Sequence, residues 1–199
     1  MAANVSSEGG PSAGAGPIGP GRVVLVVGPS GAGKDAVIRE VADRLSGDRR
    51  FHFPKRIVTR EGNSAEIHTT LTPALYEIEL ARGAFALHWD AHGLRYAIPG
   101  GIDAAVRAGC SVVFNASRRV VSLARTRYAN VAVVLIDAPL ALRWKRLATR
   151  DREHGEDVER RLHRVVTEFD ANDVDLTIDN SGALGRAVDA LADWLAAQR

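Results

Sequence analysis

The chain has 199 residues, of which 46% are hydrophobic and 25% are charged, and its formal net charge at pH 7 is +2. These values are typical of one globular domain with a substantial core, and the net charge is too small for a general nucleic-acid partner. The single cysteine, Cys110, excludes an intramolecular disulfide and a cysteine metal cluster. No apolar run approaches the ~20 residues of a membrane span, and the opening segment lacks the basic and apolar regions of a signal peptide. We therefore expect a cytoplasmic protein.

Residues 1–21 are rich in Gly, Pro, Ala and Ser and contain almost nothing to bury, which predicts a disordered tail. A single domain is expected over residues 22–199. It opens with "RVVLVV", a continuous apolar run that is typical of a strand buried on both faces of a parallel sheet. The next segment predicts a helix from about Asp35 to Leu45, because its apolar residues recur on one stripe.

Strands and helices then alternate along the chain. "KRIVTR" predicts a short strand, Thr72 and Pro73 predict the start of a helix that Gly83 ends, and "AFALHW" with "LRYAI" predicts an antiparallel hairpin. Three more strands follow, "SVVFN", "VAVVLID" and "DLTID", each with a helix after it. This order predicts the α/β class, with a parallel sheet of the P-loop NTPase type and helices on both faces. Residues 72–98 interrupt the alternation and are predicted to be a substrate-binding insertion.

The segment "VVGPSGAGKDAVI" nearly matches the phosphate-binding pattern G-x-x-x-x-G-K-[ST]. A glycine-rich turn between a strand and a helix presents backbone N–H groups to an anion, and the helix dipole adds to their attraction. The predicted ATP-binding residues are Gly28, Pro29, Ser30, Gly31, Ala32, Gly33, Lys34 and Asp35. Asp35 occupies the position of the usual Ser or Thr ligand of Mg²⁺. Because a carboxylate is also a hard oxygen ligand, we predict that Asp35 binds Mg²⁺ and that turnover requires the metal.

Two groups of basic residues follow this loop. Arg56, Thr59 and Arg60 lie on or just after "KRIVTR", where the two arginines share a strand face and suit an anionic substrate; solvated strand-end charges are the alternative. The second group consists of the arginines from Arg146 onward and predicts a basic lid over residues 150–160. This lid would close on ATP and stabilise the transferred charge. A salt-bridged helix is the alternative interpretation of these charges. The predicted lid residues are Arg146, Arg150, Arg152 and Arg161, and the predicted catalytic residues are Lys34, Arg152 and Arg160.

No segment supplies the pattern of a general base. Asp137 ends a strand as a Walker B aspartate does, but the following "APLALRWKRL" points to the junction with the lid and disfavours metal contact. His68, His88 and His92 do not have a zinc spacing. An acceptor that is itself a phosphate is already ionised at neutral pH and needs no base. Both the arginines and the absence of a general-base pattern therefore indicate that the acceptor is a phosphate group.

Several segments together resemble one kinase family. "GPSGAGKD", "VTR", "FALHWDAHGLRYAIP", "NASR", the lid motif ending in "RE", and "IDNSGAL" occur in the order found in the guanylate-kinase-like nucleoside monophosphate kinase superfamily. Within it, the chain most resembles the ribose 1,5-bisphosphate phosphokinases of phosphonate metabolism, from about Arg22 to the C-terminus. In that branch an Asp after the P-loop Lys is normal.

This resemblance implies ATP- and Mg²⁺-dependent phosphorylation of the 1-phosphate of ribose 1,5-bisphosphate to 5-phospho-α-D-ribose 1-diphosphate. It aligns "RIVTR" with the acceptor-phosphate strand, and the further substrate-binding residues that it implies are Glu66, His68, Tyr96, Asn115, Ser117 and Arg118. Two motifs depart from the branch, because Ala116 and Asp151 replace glycines. The base-recognition segment of guanylate kinases has no counterpart in "VTREGNSAEIHTTL", and Asn115 stands where those kinases carry an acidic residue.

Three alternatives stay open: a guanylate kinase or other nucleoside monophosphate kinase, a non-catalytic guanylate-kinase-like binding module, and a nucleic-acid-binding ATPase. A binding module would have an eroded P-loop, whereas Lys34 and the glycines are intact, and the modest charge disfavours the ATPase. The expected partners are ATP and a small phosphorylated sugar, with no nucleic acid and no membrane. The hypothesis for assembly is a homodimer.

Overall fold

The structure is a computed structural model that describes residues 16–59, 68–91, 93–149 and 173–198. Its strands and helices alternate through most of the described chain. In chain order the elements are β1 (Arg22–Val27), α1 (Lys34–Arg44), β2 (Phe51–His52), β3 (Arg56–Thr59), β4 (His68–Leu71), α2 (Pro73–Ala81), β5 (Phe85–Ala91), β6 (Leu94–Pro99), α3 (Ile102–Arg107), β7 (Ser111–Asn115), a 3₁₀ turn (Arg118–Val120), α4 (Val121–Arg127), β8 (Val131–Asp137), α5 (Leu140–Thr149), β9 (Leu176–Asp179) and α6 (Leu184–Ala197).

The main sheet has five strands in the order β2-β7-β1-β8-β9, and every pairing in it is parallel. Its central strand, β1, is buried on both faces: Val23 and Leu25 pack on one side, and Val24 packs on the other. Helices α3 and α4 cover the first side, and α1 and α6 cover the second. The continuous apolar run at β1 is therefore explained by burial from two layers of helices, and the predicted α/β fold class is confirmed.

A second sheet of four strands, in the order β4-β3-β6-β5, lies beside α2. Its β5–β6 pair is the predicted hairpin, and α2 begins as predicted, with Thr72 Oγ1 accepting a hydrogen bond from the Leu75 N–H at 3.3 Å. The sheet also contains β3 and β4, so this unit starts at Arg56 and not at residue 72 as predicted. Strands of four residues carry too little periodicity to be assigned to a sheet from sequence.

The domain begins earlier than its composition predicts. Ile18 forms a β-bridge with Tyr128, donates its N–H to Arg127 O at 2.9 Å, and packs partly buried against the core. The predicted tail over residues 1–21 is therefore too long at its C-terminal end, because one apolar residue with backbone partners about 110 positions away is enough to hold the segment. Residues 1–15 lie outside the described chain. Among the described helices, none has the length and apolar character that crossing a bilayer requires.

Candidate active site

The loop between β1 and α1 has a backbone that only glycine accommodates at its two ends. Gly28 has φ 145° and Gly33 has φ 90°, both in the region that disfavours side chains. A Cβ at Gly28 would collide with the carbonyl oxygen of Ile136, and a Cβ at Gly33 would collide with the side-chain amide of Asn180. The loop is therefore packed against the ends of β8 and β9, and its glycines are required by contact as well as by conformation.

Lys34, the first residue of α1, folds back over this loop. Its ammonium group donates hydrogen bonds to the carbonyl oxygens of Gly28, at 2.8 Å, and Pro29, at 3.0 Å. These bonds hold a positive charge against the loop backbone at the N-terminus of a helix, where an anion is also favoured by the helix dipole. The geometry is that of a phosphate-binding loop.

Asn180 and Arg146 fasten the same loop from the opposite side. The side-chain amide of Asn180, only 2% exposed, donates to Ala32 O at 2.8 Å, and the Asn180 N–H donates to Asp137 O at 2.8 Å. The guanidinium of Arg146 donates to Asn180 O at 2.8 Å and to Ala32 O at 3.3 Å. Asn180 Oδ1 is buried and has no hydrogen-bond partner among the residues that the structure describes. The loop is thus held by α5 and by the end of β9.

Sequence reasoning gave Asn180 no role, although "IDNSGAL" was part of the resemblance. Its position directly after β9 could have indicated a place in the site, because the carboxyl ends of parallel strands share the edge at which ligands bind. Arg146 is predicted to belong to the lid, and its described hydrogen bonds go to Ala32 O in the phosphate-binding loop and to Asn180 O after β9. The remaining lid and catalytic arginines, Arg150, Arg152, Arg160 and Arg161, lie outside the described residues, as do Arg60 and Glu66 of the acceptor prediction.

Asp35 meets Asn115 at the start of α1. The side-chain amide of Asn115, the last residue of β7, donates a hydrogen bond to Asp35 Oδ1 at 2.7 Å. Strand β7 lies next to β1, so its end and the start of α1 reach the same edge of the sheet. The sequence assigned these two residues to different ligands, magnesium for Asp35 and the acceptor for Asn115, and the structure brings them into direct contact.

Ser117 and Arg118 follow β7. Ser117 Oγ accepts a hydrogen bond from the Arg119 N–H at 3.3 Å and so caps the 3₁₀ turn. Arg118 is half-buried; burial lowers the pKa of its guanidinium from the ordinary value, and the negative charge of Asp137 opposes that shift. Arg118 therefore brings a partly desolvated positive charge toward the end of β8, where exposed Asp137 accepts a hydrogen bond from the Ala138 N–H.

The second sheet carries a stack of three side chains. The guanidinium of Arg56 lies 4.9 Å from the centre of the Tyr96 ring. Trp89 stacks with the same ring, with ring centres 5.6 Å apart and planes 14° from parallel. Tyr76 fixes the Tyr96 backbone by donating to its carbonyl oxygen at 3.0 Å. Burial raises the pKa of Tyr76 to about 12, so its hydroxyl stays protonated at neutral pH. This arrangement restricts the position of Arg56.

Thr59 has a structural contact in the same sheet. Its side chain is buried, and its Oγ1 accepts a hydrogen bond from the Arg95 N–H at 2.9 Å, which extends the pairing of β3 with β6. His68 opens β4 and is paired in register with Arg56. Four of the predicted acceptor residues, Arg56, Thr59, His68 and Tyr96, therefore lie on adjacent strands of the second sheet, with Arg56 and Tyr96 in direct contact. The other three that the structure describes, at positions 115, 117 and 118, lie at the end of β7 in the main sheet.

The donor chemistry fits one Mg²⁺ ion bound mainly through a nucleotide. Among the described residues, no three His, Cys, Asp or Glu side chains come close enough together to hold a metal without other ligands. The carboxylates of Asp35 and Asp137 both lie at the sheet edge that carries the phosphate-binding loop. Mg²⁺ is ordinarily bound by one or two carboxylates together with phosphates and waters, so the residues present are sufficient.

The chain is similar to known proteins over most of its length. A family model described as an AAA domain matches residues 23–170. Ribose 1,5-bisphosphate phosphokinase PhnN of Bradyrhizobium diazoefficiens is 46% identical over 169 residues, which cover 85% of each chain. The protein of that name from Rhodopseudomonas palustris is 47% identical over 83% of each chain.

The described fold also has a relative of known structure. The guanylate kinase of Anaplasma phagocytophilum superposes with a TM-score of 0.63 at 16% identity, over 92% of this chain and 87% of that one. At that identity the likeness shows the fold alone. The sequence relatives show more, and the chain belongs to the family of ribose 1,5-bisphosphate phosphokinases, on a guanylate-kinase-like fold.

Proposed function

We propose that the protein transfers the γ-phosphoryl group of ATP to the 1-phosphate of ribose 1,5-bisphosphate, forming ADP and 5-phospho-α-D-ribose 1-diphosphate in phosphonate degradation. The observation that carries the kinase assignment is the loop of residues 28–34, whose glycines are locked by contact and whose Lys34 folds over the backbone. The names of the relatives supply the identity of the acceptor. ATP and the sugar bisphosphate are the proposed partners, and the proposed location is the cytoplasm. The homodimer remains a prediction.

The loop backbone and Lys34 would bind the β- and γ-phosphates of ATP and hold them in one orientation. Magnesium bound to those phosphates, and held by Asp35, would neutralise negative charge. Arg152 and Arg160 keep their predicted role of stabilising the transferred group. The protein needs no residue to remove a proton from the acceptor, because the 1-phosphate already carries a nucleophilic oxygen. This oxygen forms the new P–O bond while the bond from the γ-phosphorus to the leaving ADP breaks.

The test is turnover by the purified protein with ATP and Mg²⁺, supplied with ribose 1,5-bisphosphate, with GMP, or with no acceptor. We expect ADP to form only with the sugar bisphosphate, and phosphorus NMR to show a diphosphate on the sugar product. Robust turnover of GMP without turnover of the sugar would show a nucleotide kinase. Rapid ADP formation without an acceptor would show an ATPase.

Arg56 is expected to bind the acceptor. Replacing Arg56 with alanine should raise the KM for ribose 1,5-bisphosphate by about 10-fold or more, because a charge-assisted bond to phosphate is lost. The Kd of ADP should change less than about 2-fold, since Arg56 lies on the second sheet and not on the nucleotide loop. Arg107→Ala, an exposed arginine on α3, is the control for loss of one positive charge. An unchanged KM in a folded Arg56→Ala protein would remove Arg56 from the acceptor site.

A further inference from the structure

The contact between Asp35 and Asn115 joins two elements that are 80 residues apart in the chain. Asn115 is fixed at the end of β7, where it pairs in register with Val26 of β1, and the next residue donates its N–H to Val26 O at 3.0 Å. Asp35 is fixed by its place in the first turn of α1. Both side chains are half-buried. The hydrogen bond therefore spans two rigid elements, and neither end is on a loose loop.

One hydrogen bond of this kind sets the rotation of a carboxylate. With Oδ1 of Asp35 accepting from the Asn115 amide at 2.7 Å, the carboxylate plane is restrained and Oδ2 takes a defined direction. An amide carries no charge, so the pair holds a single negative charge, which is favoured at a helix N-terminus. Neighbours that hydrogen-bond a metal ligand in this way typically affect metal affinity by about 10–100-fold without touching the metal.

We propose that Asn115 is a positioning residue, which orients the Asp35 carboxylate toward the divalent cation that accompanies the nucleotide, and is not a contact of the sugar substrate. This inference rests on the proposed function only in that the site binds a nucleotide with a cation. It explains why the position at the end of β7 holds an amide. A second carboxylate at 115 would face Asp35 across the same short contact and repel it, whereas an amide can donate.

The experiment measures the Kd of ADP by calorimetry at one pH, with Mg²⁺ and with chelator, for the wild type and three variants. The ratio of the two Kd values gives the enhancement of ADP binding by magnesium. We expect Asp35→Ala to remove most of that enhancement and Asn115→Leu to reduce it by about 10-fold, since leucine has the size of asparagine but no donor. The double variant should lose no more than Asp35→Ala alone, because Asn115 then has nothing to orient.

Two controls separate orientation from stability and from charge. Asn130→Ala removes an asparagine that bonds Pro20 O at the other edge of the sheet and should leave the enhancement unchanged. The exchange variant, Asp35→Asn with Asn115→Asp, keeps one charge and one donor but moves the carboxylate from α1 to β7. We expect it to unfold at nearly the wild-type temperature and to lose the enhancement. If Asn115→Leu does not fold, Asn115→Ala takes its place in the same cycle.

Three results would overturn the proposal: full enhancement in folded Asn115→Leu, additive losses in the double variant, or full enhancement in the exchange variant. Each readout is a binding constant without acceptor, so it is independent of whether ribose 1,5-bisphosphate is the substrate. A protein that fails to phosphorylate the sugar but shows the expected cycle would contradict the proposed acceptor and support the role of Asn115.

Discussion

Replacing Lys34 with alanine is expected to lower kcat for phosphoryl transfer by about 1000-fold or more, because a preorganised positive charge at the transferring phosphate is lost. The fold should survive, since the hydrogen bonds from Lys34 to Gly28 O and Pro29 O join it to a surface loop and not to the core. The measurement is single-turnover ADP formation at saturating ATP, with circular dichroism to confirm folding.

Lys145→Ala is the matched control for Lys34→Ala. Lys145 is exposed on α5, so its loss removes the same charge without touching the loop, and we expect kcat to stay within about 2-fold of the wild type. Near-normal kcat in folded Lys34→Ala would exclude this lysine from the transfer step. An equal loss in both variants would attribute the effect to net charge.

The second large effect is expected at Gly33. Gly33→Ala would place a Cβ against the side-chain amide of Asn180, which is buried and holds Ala32 O. Either the loop or Asn180 must move, and overpacking of this kind typically costs about 1–3 kcal/mol in addition to the strain of a positive φ. We expect a lower unfolding temperature and at least about 10-fold weaker ADP binding, since displacement of the loop disturbs its N–H groups.

Gly109→Ala separates the two causes. Gly109 has φ 86°, close to the 90° of Gly33, but a Cβ there would meet nothing within 4 Å. This variant should carry the conformational strain alone and bind ADP normally. If Gly33→Ala and Gly109→Ala lose the same stability and both bind ADP normally, the contact with Asn180 has no consequence for the loop.

Local patterns were sufficient for most of the parallel sheet. The run at β1 is apolar without interruption because two layers of helices cover it. The segments predicted as the later strands of this sheet are β7, β8 and β9 in the structure. Strand β2 was missed, since two residues have no period. Strand β3 was found but could not be assigned to the second sheet, because its pairing with β6 joins residues about 40 positions apart.

The candidate site also has a part that the sequence predicted and a part that it could not predict. The phosphate-binding loop is contiguous, so its glycines, Lys34 and Asp35 were found from spacing alone, and the structure gives that loop the expected backbone. The stack of Arg56 on Tyr96 could not be derived, although both residues were named, because neither residue type reveals its partner. Arg146 was named for its charge as a lid residue, and the sequence did not reveal its hydrogen bonds to Ala32 O and Asn180 O.

The sequence by itself determined the class of fold and the phosphate-binding loop, since both depend on residues that are neighbours in the chain. Only the tertiary structure decided which side chains complete the loop. Asn115 reaches Asp35 over 80 residues, and Asn180 reaches Ala32 over 148. These contacts exist because parallel strands bring their carboxyl ends to one edge of the sheet, whatever their separation along the chain. An amide at the end of a strand is an ordinary polar residue in the sequence, and in the fold the loop and helix that follow β1 give it a partner.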